Sequence, residues 1–342
     1  MGDRPRWRCE ALGEDRQGEI RALFEQVFGG SMSEALWRWK YDGGRGCASG
    51  ARADDDPQGA LLAHYGGTAR TLCLGNATFA GVQMGDVMVR PDARGVLSRS
   101  GPFARVTRHF IDERVGDGLR YAVGFGFPNA RHARLGELLG LYRALGEVRE
   151  LAWPAANPTG QAAWRWRLAP LPALDAPDAP RAWARVDGLG ERMRRALPEW
   201  LIAQRNGAWV RHRYADHPHH RYRLDWLRCR WTRRVLGVVV MRVPAAEAAA
   251  AGAGWEWMDW IGEPRHLPLA IEVARAEAAR AGAGWLRGWF SAPLIARFVP
   301  HAGEPAPVPV CTWCVTVRRS ADVPAALDAA PWWLTGGDTD FR

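Results

Sequence analysis

The segment of residues 83–103 constrains the fold of this chain more than any other stretch. Residues 83–90 predict a β-strand, which runs into a loop punctuated by Gly95 and Gly101 just before a helix begins. Backbone N–H groups are exposed where a helix starts, and the helix dipole adds partial positive charge there. Together with Arg94, this strand–loop–helix junction predicts a binding site for an anion such as a pyrophosphate.

The length and composition predict a globular protein of two domains. The 342 residues exceed the roughly 100–200 that are typical of one domain. Hydrophobic residues make up 47% of the chain and charged residues 24%, as in ordinary globular proteins. The 19 tryptophans are spread along the whole chain, so we expect them in two cores and their rims.

The formal net charge of +9 comes almost entirely from arginine, since lysine occurs once, at Lys40. Such a charge favours an anionic donor, a tRNA, an acidic glycan or a membrane surface about equally. The sequence has no run of five basic residues and none of the nucleic-acid recognition motifs. We therefore do not expect nucleic-acid binding.

Location and metal binding are predicted from what the sequence lacks. No apolar stretch approaches the roughly 18–20 residues needed to span a bilayer, and the first residues lack the apolar core of a signal peptide, so a cytoplasmic protein is expected. Six cysteines are scattered along the chain. Cys311 and Cys314 have metal-like spacing, but residues 308–317 alternate like a strand, and one such pair makes a poor zinc site. We predict a core strand and no metal.

The first half of the chain predicts a mixed α/β domain. A helix is expected over residues 15–28, a second helix after Ser33, and an exposed loop over 42–59. Gly66-Gly67 and Gly75-Asn76 are expected to form hairpin turns. The remaining predicted elements are strands at 60–65, 68–74, 77–90, 119–125 and 141–151, with helices at 102–115 and 129–139.

The second half repeats this order of elements after a segment rich in proline and alanine. We predict a first domain at 1–151, a crossing linker at 152–195 and a second domain at 196–342. The predicted elements of the second domain are strands at 222–229, 234–243, 255–261 and 285–290, with a helix at 268–281. This half has no counterpart of Arg94-Gly95, so we expect it to act as scaffold and as a wall of an acceptor site.

Several segments, in this order, resemble the acetyl-CoA-binding half of the GNAT acyltransferases, and in particular the branch with the two-domain Eis-like members. They are His64-Tyr65-Gly66-Gly67, Val87 to Pro91, Gly126-Phe127-Pro128-Asn129 and Leu138-Leu139-Gly140. Further matches lie at 209–214, at Tyr222 and in the tail at 333–340. The resemblance covers most of the chain and implies an α+β mixed sheet in tandem GNAT-like domains.

The resemblance implies acetyl-CoA or another acyl-CoA as co-substrate. The backbone of Val87, Met88 and Val89 would meet the pantetheine. The residues implied around the phosphates are Arg94, Gly95, Gly101, Phe103 and Asn129. This chain departs from the family in a lengthened loop and in Pro102, which lacks the N–H that a phosphate cradle uses.

Catalysis in this family needs a base for the acceptor amine and an acid, often a tyrosine, for the departing thiolate. The position of the family tyrosine holds Gly136 here, and Tyr142 is the nearest replacement unless it is merely a strand residue. Asp86 is a candidate base, or else it pairs with an arginine or closes a bulge. His64 is a second candidate base, or else a core residue.

Trp37, Trp39 and Tyr41 either line an acceptor groove or pack in the core. The function implied is a GNAT-type N-acyltransferase that acts on a small-molecule amine or an amino sugar. One alternative is a degenerate GNAT module that binds an acyl-CoA or a partner protein without turnover. Another is a Fem-type transferase that depends on aminoacyl-tRNA, although the helical arm of that type is not evident in the sequence.

Overall fold

The structure is a computed structural model that describes residues 7–56, 59–94, 100–156, 164–244, 254–300 and 306–339. The chain divides into two compact units. The first unit comprises Met1–Thr71, Thr78–Leu145 and Thr312–Ala325, and the second comprises Leu72–Ala77, Gly146–Cys311 and Ala326–Arg342. Within the described ranges, no helix has the length and apolar character needed to cross a bilayer.

The first unit is built on a mixed sheet. Its strands are β1 (Trp7–Leu12), β2 (Gly46–Ala53), β3 (Ala63–Leu74), β4 (Ala77–Val89), β5 (Val123–Gly126), the start of β6 (Tyr142–Pro154) and the end of β13 (Val308–Thr316). They lie in the order β1-β2-β3-β4-β5-β13-β6. β2 is antiparallel to β1 and β3, whereas β4 and β5 are parallel. The predicted mixed α/β class is confirmed.

Four helices of the first unit match the predicted ones closely. They are α1 (Gln17–Phe28), α2 (Glu34–Tyr41), α3 (Pro102–Arg114) and α4 (Ala130–Leu138). α1 ends at Gly29, whose φ of 73° suits glycine, and the Ser33 side chain caps α2 by accepting from the Leu36 N–H. The Asn129 side chain caps α4 in the same way.

Two predictions for the first unit are wrong. Residues 42–59, predicted as a loop, contain the buried strand β2. Its small residues gave no alternating pattern, but a Cβ at Gly50 would lie 2.7 Å from Leu61 and 3.0 Å from Leu12, so this position of the strand has no room for a side chain. Gly66-Gly67 is not a turn either, because β3 runs straight through it.

The second unit has its own mixed sheet, in the order β6-β12-β11-β10-β9-β7. Its strands are the end of β6, β7 (Trp166–Pro170), β9 (Tyr222–Cys229), β10 (Val235–Arg242), β11 (Trp255–Gly262) and β12 (Trp285–Ser291), while β8 (Leu201–Ala203) pairs with β14 (Trp332–Trp333). Its helices are α5 (Ala179–Arg195), α6 (Gly207–Val210), α7 (Leu267–Arg280) and α8 (Ala292–Phe298). The strands and the helix predicted between 222 and 290 are confirmed.

The two units differ from the predicted domains at several places, and residues 72–77 and 146–151, predicted in the first domain, lie in the second unit. Residues 152–195, predicted as a linker, supply the end of β6, all of β7 and α5 to the second unit. Alanine and arginine dominate α5, which hid its buried face of Val186, Leu189 and Met193. Residues 312–325 lie in the first unit rather than the second, because the end of β13 pairs with β5. The strand predicted around Cys311 and Cys314 is confirmed.

A buried ionic network fixes the chain's tail within the second unit. The Arg205 guanidinium donates to the Asp259 carboxylate at 3.0 Å and to Asp338 at 2.6 Å, and all three side chains are almost fully buried. Arg213 donates to the backbone carbonyls of Gly337 and Thr339. These bonds satisfy the buried guanidinium groups and fix the tail against the unit's interior.

The two glycines of α5 should respond oppositely to alanine. A Cβ at Gly190 would lie 2.1 Å from the Arg205 carbonyl oxygen, and a backbone atom cannot easily move away. At Gly188 the nearest atom is the flexible Arg192 Nη1, at 3.7 Å. We expect Gly188→Ala to stabilise the protein by up to about 1 kcal/mol through helix propensity and Gly190→Ala to destabilise it. Denaturant unfolding of both variants measures this, and equal effects would contradict the packing.

Candidate functional site

A pocket of about 320 Å³ opens in the first unit. It is bounded by the end of β4, the beginnings of α3 and α4 and the end of α1. The apolar lining residues are Val27, Phe28, Val87, Val89, Ala93, Pro102, Phe103, Ala104, Leu135 and Leu139, and the polar ones are Arg94, Asn129, Arg131 and His132. The pocket therefore combines an apolar wall with a group of polar and basic side chains.

The end of β4 borders this pocket without a β5 partner. The parallel register of β4 with β5 runs from Gly81 to Met84, where it meets the last β5 residue, Gly126. Beyond that point Val87 and Val89 line the pocket. Asp86, at the boundary between these two parts of β4, has a φ of 49°, a conformation that a residue with a side chain rarely adopts, and we call this irregular point of the strand the bend. An extended ligand with amide groups can pair with a strand edge of this kind.

Three basic side chains converge on the pocket from two elements. Arg94 follows β4 and donates from Nε to the Val89 carbonyl at 2.9 Å. Arg131 and His132 lie in the first turn of α4, and the His132 ring stacks on Phe103 with centroids 5.4 Å apart. Burial lowers the pKa of His132, and repulsion from Arg131 and Arg94 lowers it further. The three groups are therefore close enough to act on one ligand.

The placement of these basic side chains is unfavourable unless an anion is bound. The first turn of a helix normally carries acidic residues, which complement its positive dipole end. The first turn of α4 contains Arg131 and His132 and no acidic residue, and that of α3 contains no acidic residue either. Basic groups at a helix N-terminus are suited to a phosphate, which the exposed N–H groups also bind.

A second group of polar residues lies beside the bend in β4. This group, the Asp86 cluster, comprises Lys40, Tyr41, His64 and Asp86. Asp86 accepts from Lys40 Nζ at 2.7 Å and from the Tyr41 hydroxyl at 2.6 Å, and both charged side chains are only 7% exposed. Burial alone would raise the pKa of the Asp86 carboxyl, but attraction to the Lys40 ammonium and the two hydrogen bonds lower it overall. Asp86 is therefore an anion at neutral pH.

His64 is held in one tautomer by this cluster. Its Nδ1 lies 2.7 Å from the Asp86 backbone oxygen, which can only accept, so Nδ1 carries the proton. Burial lowers the pKa of the ring, although the bond to the Asp86 carbonyl opposes this effect. Nε2 is buried and has no hydrogen-bond partner among the described residues. The neutral ring therefore holds an unused lone pair beside the bend of β4.

Comparisons with known proteins fit this geometry. No family model and no curated protein matches the sequence. A probable N-acyltransferase of unknown function from Enterococcus faecalis has a TM-score of 0.62 at 13% identity, over 90% of this chain and 71% of that one. A GCN5-related N-acetyltransferase from Anabaena variabilis has a TM-score of 0.63 at 11% identity, over 91% and 72%. Saccharomyces cerevisiae N-myristoyltransferase with bound myristoyl-CoA has 0.52 at 10%, over 92% and 85%.

The chain has the GNAT fold. At these identities the likeness establishes the fold alone, and the Eis-like branch stays a prediction. Of the residues predicted to meet the co-substrate in this fold, five line the pocket: Val87, Val89, Arg94, Phe103 and Asn129. The Met88 side chain packs in the core beneath α1 and α2, and the prediction for its backbone stays a prediction. Gly101 is the buried residue that precedes α3, and Gly95 lies outside the described residues.

Of the three aromatic residues predicted to line an acceptor groove or to pack in the core, Trp37 and Tyr41 pack in the core. Trp37 is 4% exposed and stacks on Tyr41, with ring centroids 5.6 Å apart, in the core between α1, α2 and β4. Tyr41 uses its hydroxyl on Asp86, and Trp39 is half-buried on α2. Their helical spacing gave no way to distinguish a core face from a groove, and the core explanation is the one that holds for Trp37 and Tyr41.

Tyr142 fills the space that a side chain at Gly136 would need. A Cβ built on Gly136 would lie 1.9 Å from Tyr142 Cδ2. The Tyr142 hydroxyl is hydrogen-bonded to that of Tyr65, which also contacts the Met84 sulfur at 2.8 Å. Burial raises the pKa of Tyr142, so its hydroxyl keeps its proton at neutral pH. A tyrosine ring thus fills the volume beside α4, but it comes from the start of β6 and not from position 136 on the helix.

Sequence reasoning missed three residues of these two groups. Arg131 and His132 carried a detectable signal, because basic residues two and three positions after the capping residue Asn129 contradict the usual charge preference of a helix start. Lys40 was also noticeable as the single lysine. Its pairing with Asp86 spans 46 residues of sequence, so only the fold could reveal that contact.

The buried His64 should make stability depend on pH. Its pKa is lowered in the folded protein, so its contribution is complete above the unfolded value of about 6.5 and falls as the pH drops through that value. The slope for one such group is at most about 1.4 kcal/mol per pH unit. Unfolding free energies measured between pH 7.5 and 5 should fall less steeply for His64→Gln than for the wild type. The exposed His219→Gln is the control, and equal slopes for the wild type and His64→Gln would contradict the prediction.

Proposed function

We propose that this protein is an acyl-CoA-dependent N-acyltransferase whose donor binds in the pocket of the first unit. One observation carries the proposal: within a GNAT fold, the end of β4 that has no β5 partner and three converging basic side chains border a single pocket. This combination suits a ligand with an amide-containing arm at one end and phosphates at the other.

The donor would lie along β4 with its pantetheine against Val87 and Val89. Backbone groups of this unpaired edge would hydrogen-bond its amides, as an added strand does. The phosphates would lie among Arg94, Arg131 and His132, near the starts of α3 and α4. Because Pro102 has no N–H to donate, side-chain cations would carry more of the phosphate binding than backbone amides do.

The thioester would then lie near the bend at Asp86, where the two candidate bases meet. Both Asp86 oxygens are engaged by Lys40 and Tyr41, so we assign this carboxylate the role of a positioning residue. His64 Nε2, with its free lone pair and neutral ring, is the better proton acceptor, directly or through one water. Tyr142 is the proposed acid for the thiolate, acting together with Tyr65.

A second candidate function has one observation in its favour. The Tyr142 hydroxyl is bonded to Tyr65 and is not part of the pocket lining. This favours a module that binds acyl-CoA without turnover. The two functions differ in thiol release and share donor binding. Neither specifies the acceptor, for which a small-molecule amine or amino sugar remains our proposal, and neither specifies the acyl group, for which acetyl remains our proposal.

Replacing Arg94 should weaken donor binding. A charge-assisted bond to phosphate is typically worth about 1.5–3 kcal/mol, so Arg94→Ala should raise the dissociation constant of acetyl-CoA or CoA at least ten-fold. Isothermal titration calorimetry of the purified variants measures this. Arg265→Ala is the charge-matched control, since Arg265 is exposed in the second unit and paired with Glu263. Unchanged affinity in Arg94→Ala, with the control also unchanged, would remove the pocket from the proposal.

Replacing Tyr142 should separate the two candidate functions. Tyr142→Phe keeps the ring that packs on Gly136 and removes one hydroxyl. If Tyr142 is the acid, turnover in a thiol-release assay over a panel of amines should fall roughly ten-fold or more, with donor affinity retained. Full activity in this variant would exclude Tyr142 as the acid. A wild-type protein that binds acyl-CoA but releases no thiol with any amine would favour the binding module.

A further inference from the structure

The chain's single lysine lies beside the proposed reaction centre. Of 46 basic residues, 45 are arginine and one is Lys40. Arginine is charged at any accessible pH, whereas a lysine can lose its proton and become a nucleophile. A chain that otherwise uses arginine for positive charge thus has its one potential amine nucleophile, apart from the N-terminus, in the Asp86 cluster.

The position of Lys40 brings this amine close to β4, the strand along which the acyl-CoA is proposed to lie. Its Nζ lies 2.7 Å from Asp86 Oδ1, and Asp86 directly precedes Val87, which lines the pocket. Standard bond lengths place Nζ within about 10 Å of the Val87 Cα. The flexible four-carbon stem of a lysine can cover much of such a distance. The Asp86 carboxylate is also the nearest group that can take the ammonium proton.

We propose that Lys40 is a self-acylation site, which takes the acyl group from an acyl-CoA bound in the pocket of the same molecule. The inference rests on the proposed function, because it needs the donor's thioester near the bend of β4. It adds a second acceptor to that site, namely an amine of the protein itself.

The reaction balances without any further reactant. The Lys40 ammonium gives one proton to Asp86, and the free amine attacks the thioester carbonyl. A C–N bond forms and the C–S bond breaks. The second surplus proton of the nitrogen goes to the departing thiolate, which leaves as free CoA, and Asp86 returns its proton to solvent. The product is a neutral amide on Lys40.

An amide does not transfer its acyl group onward as a thioester does, so acyl-Lys40 is a lasting modification. It removes the positive charge that holds Asp86, and the carboxylate keeps the Tyr41 hydroxyl as its partner. The cluster that positions His64 therefore changes its charge when Lys40 is acylated. Acylation would thereby report exposure to the donor and alter the site that produced it.

The test is peptide mapping of the wild-type protein after incubation with acetyl-CoA. Trypsin cuts after Arg38, Lys40 and Arg45, but an acylated Lys40 blocks the middle cut and yields the single peptide of residues 39–45. We expect this peptide to carry one acetyl group. Its formation should be first order, independent of protein concentration and saturable in acetyl-CoA. At low acetyl-CoA it should be at least ten-fold slower in Arg94→Ala and unchanged in Arg265→Ala.

Two controls keep the result interpretable. Lys40→Arg retains the positive charge beside Asp86 and should gain no acetyl group at position 40. If that variant fails to fold, the urea-unfolded wild type serves instead, and it should acetylate Lys40 more slowly than the folded protein. An equal rate in the unfolded chain, or acetylation confined to the N-terminal amine, would overturn the inference.

Calorimetry on the same samples separates the two proposals. A protein that binds acetyl-CoA, and releases thiol with a free amine, but leaves Lys40 unmodified overturns the self-acylation site and leaves the proposed function intact. A protein that binds no acyl-CoA overturns both.

Discussion

The hydrogen bonds of Asp86 join three elements of the first unit at one point. Its carboxylate holds Lys40 and Tyr41 at the end of α2, while its backbone carbonyl holds the His64 ring on β3. Its positive φ bends β4 where the pairing with β5 stops. A buried ion pair adds little net stability, but losing one partner leaves an uncompensated buried charge. The bend, the unpaired edge and the pocket wall therefore depend on one fully paired carboxylate.

The pocket and the Asp86 cluster use charge in opposite ways. In the cluster, the Asp86 charge is neutralised by Lys40, and the ring of His64 is kept neutral by burial. In the pocket, Arg94, Arg131 and His132 gather near helix starts that are already positive. The charges of the first arrangement are balanced without a ligand, and the second arrangement becomes favourable when an anion binds. Strand β4, which runs from one to the other, is thus suited to a donor with a charged end and a neutral, reactive end.

The sequence predicted the elements whose signals are local. The helices predicted at 15–28, after Ser33 and at 102–115 depend on signals within a few residues, and each is found in the structure. β2 escaped prediction because its residues are small and are selected by neighbours such as Leu12 and Leu61. The site was predictable in so far as it lies on the strand–loop–helix segment. The partner of Asp86 and the orientation of His64 depend on contacts between distant segments, which no local pattern encodes.

Packing between Gly136 and Tyr142 has an evolutionary consequence. The two positions share one volume, in which the Tyr142 ring leaves no room for even a methyl group at position 136. An ancestor with tyrosine on the helix would need a small residue on the strand, and the reverse holds here. A larger residue at position 136 clashes with the Tyr142 ring, so we expect substitutions at these two positions to have non-additive effects on stability. The volume beside α4 is thus filled from the strand rather than from the helix.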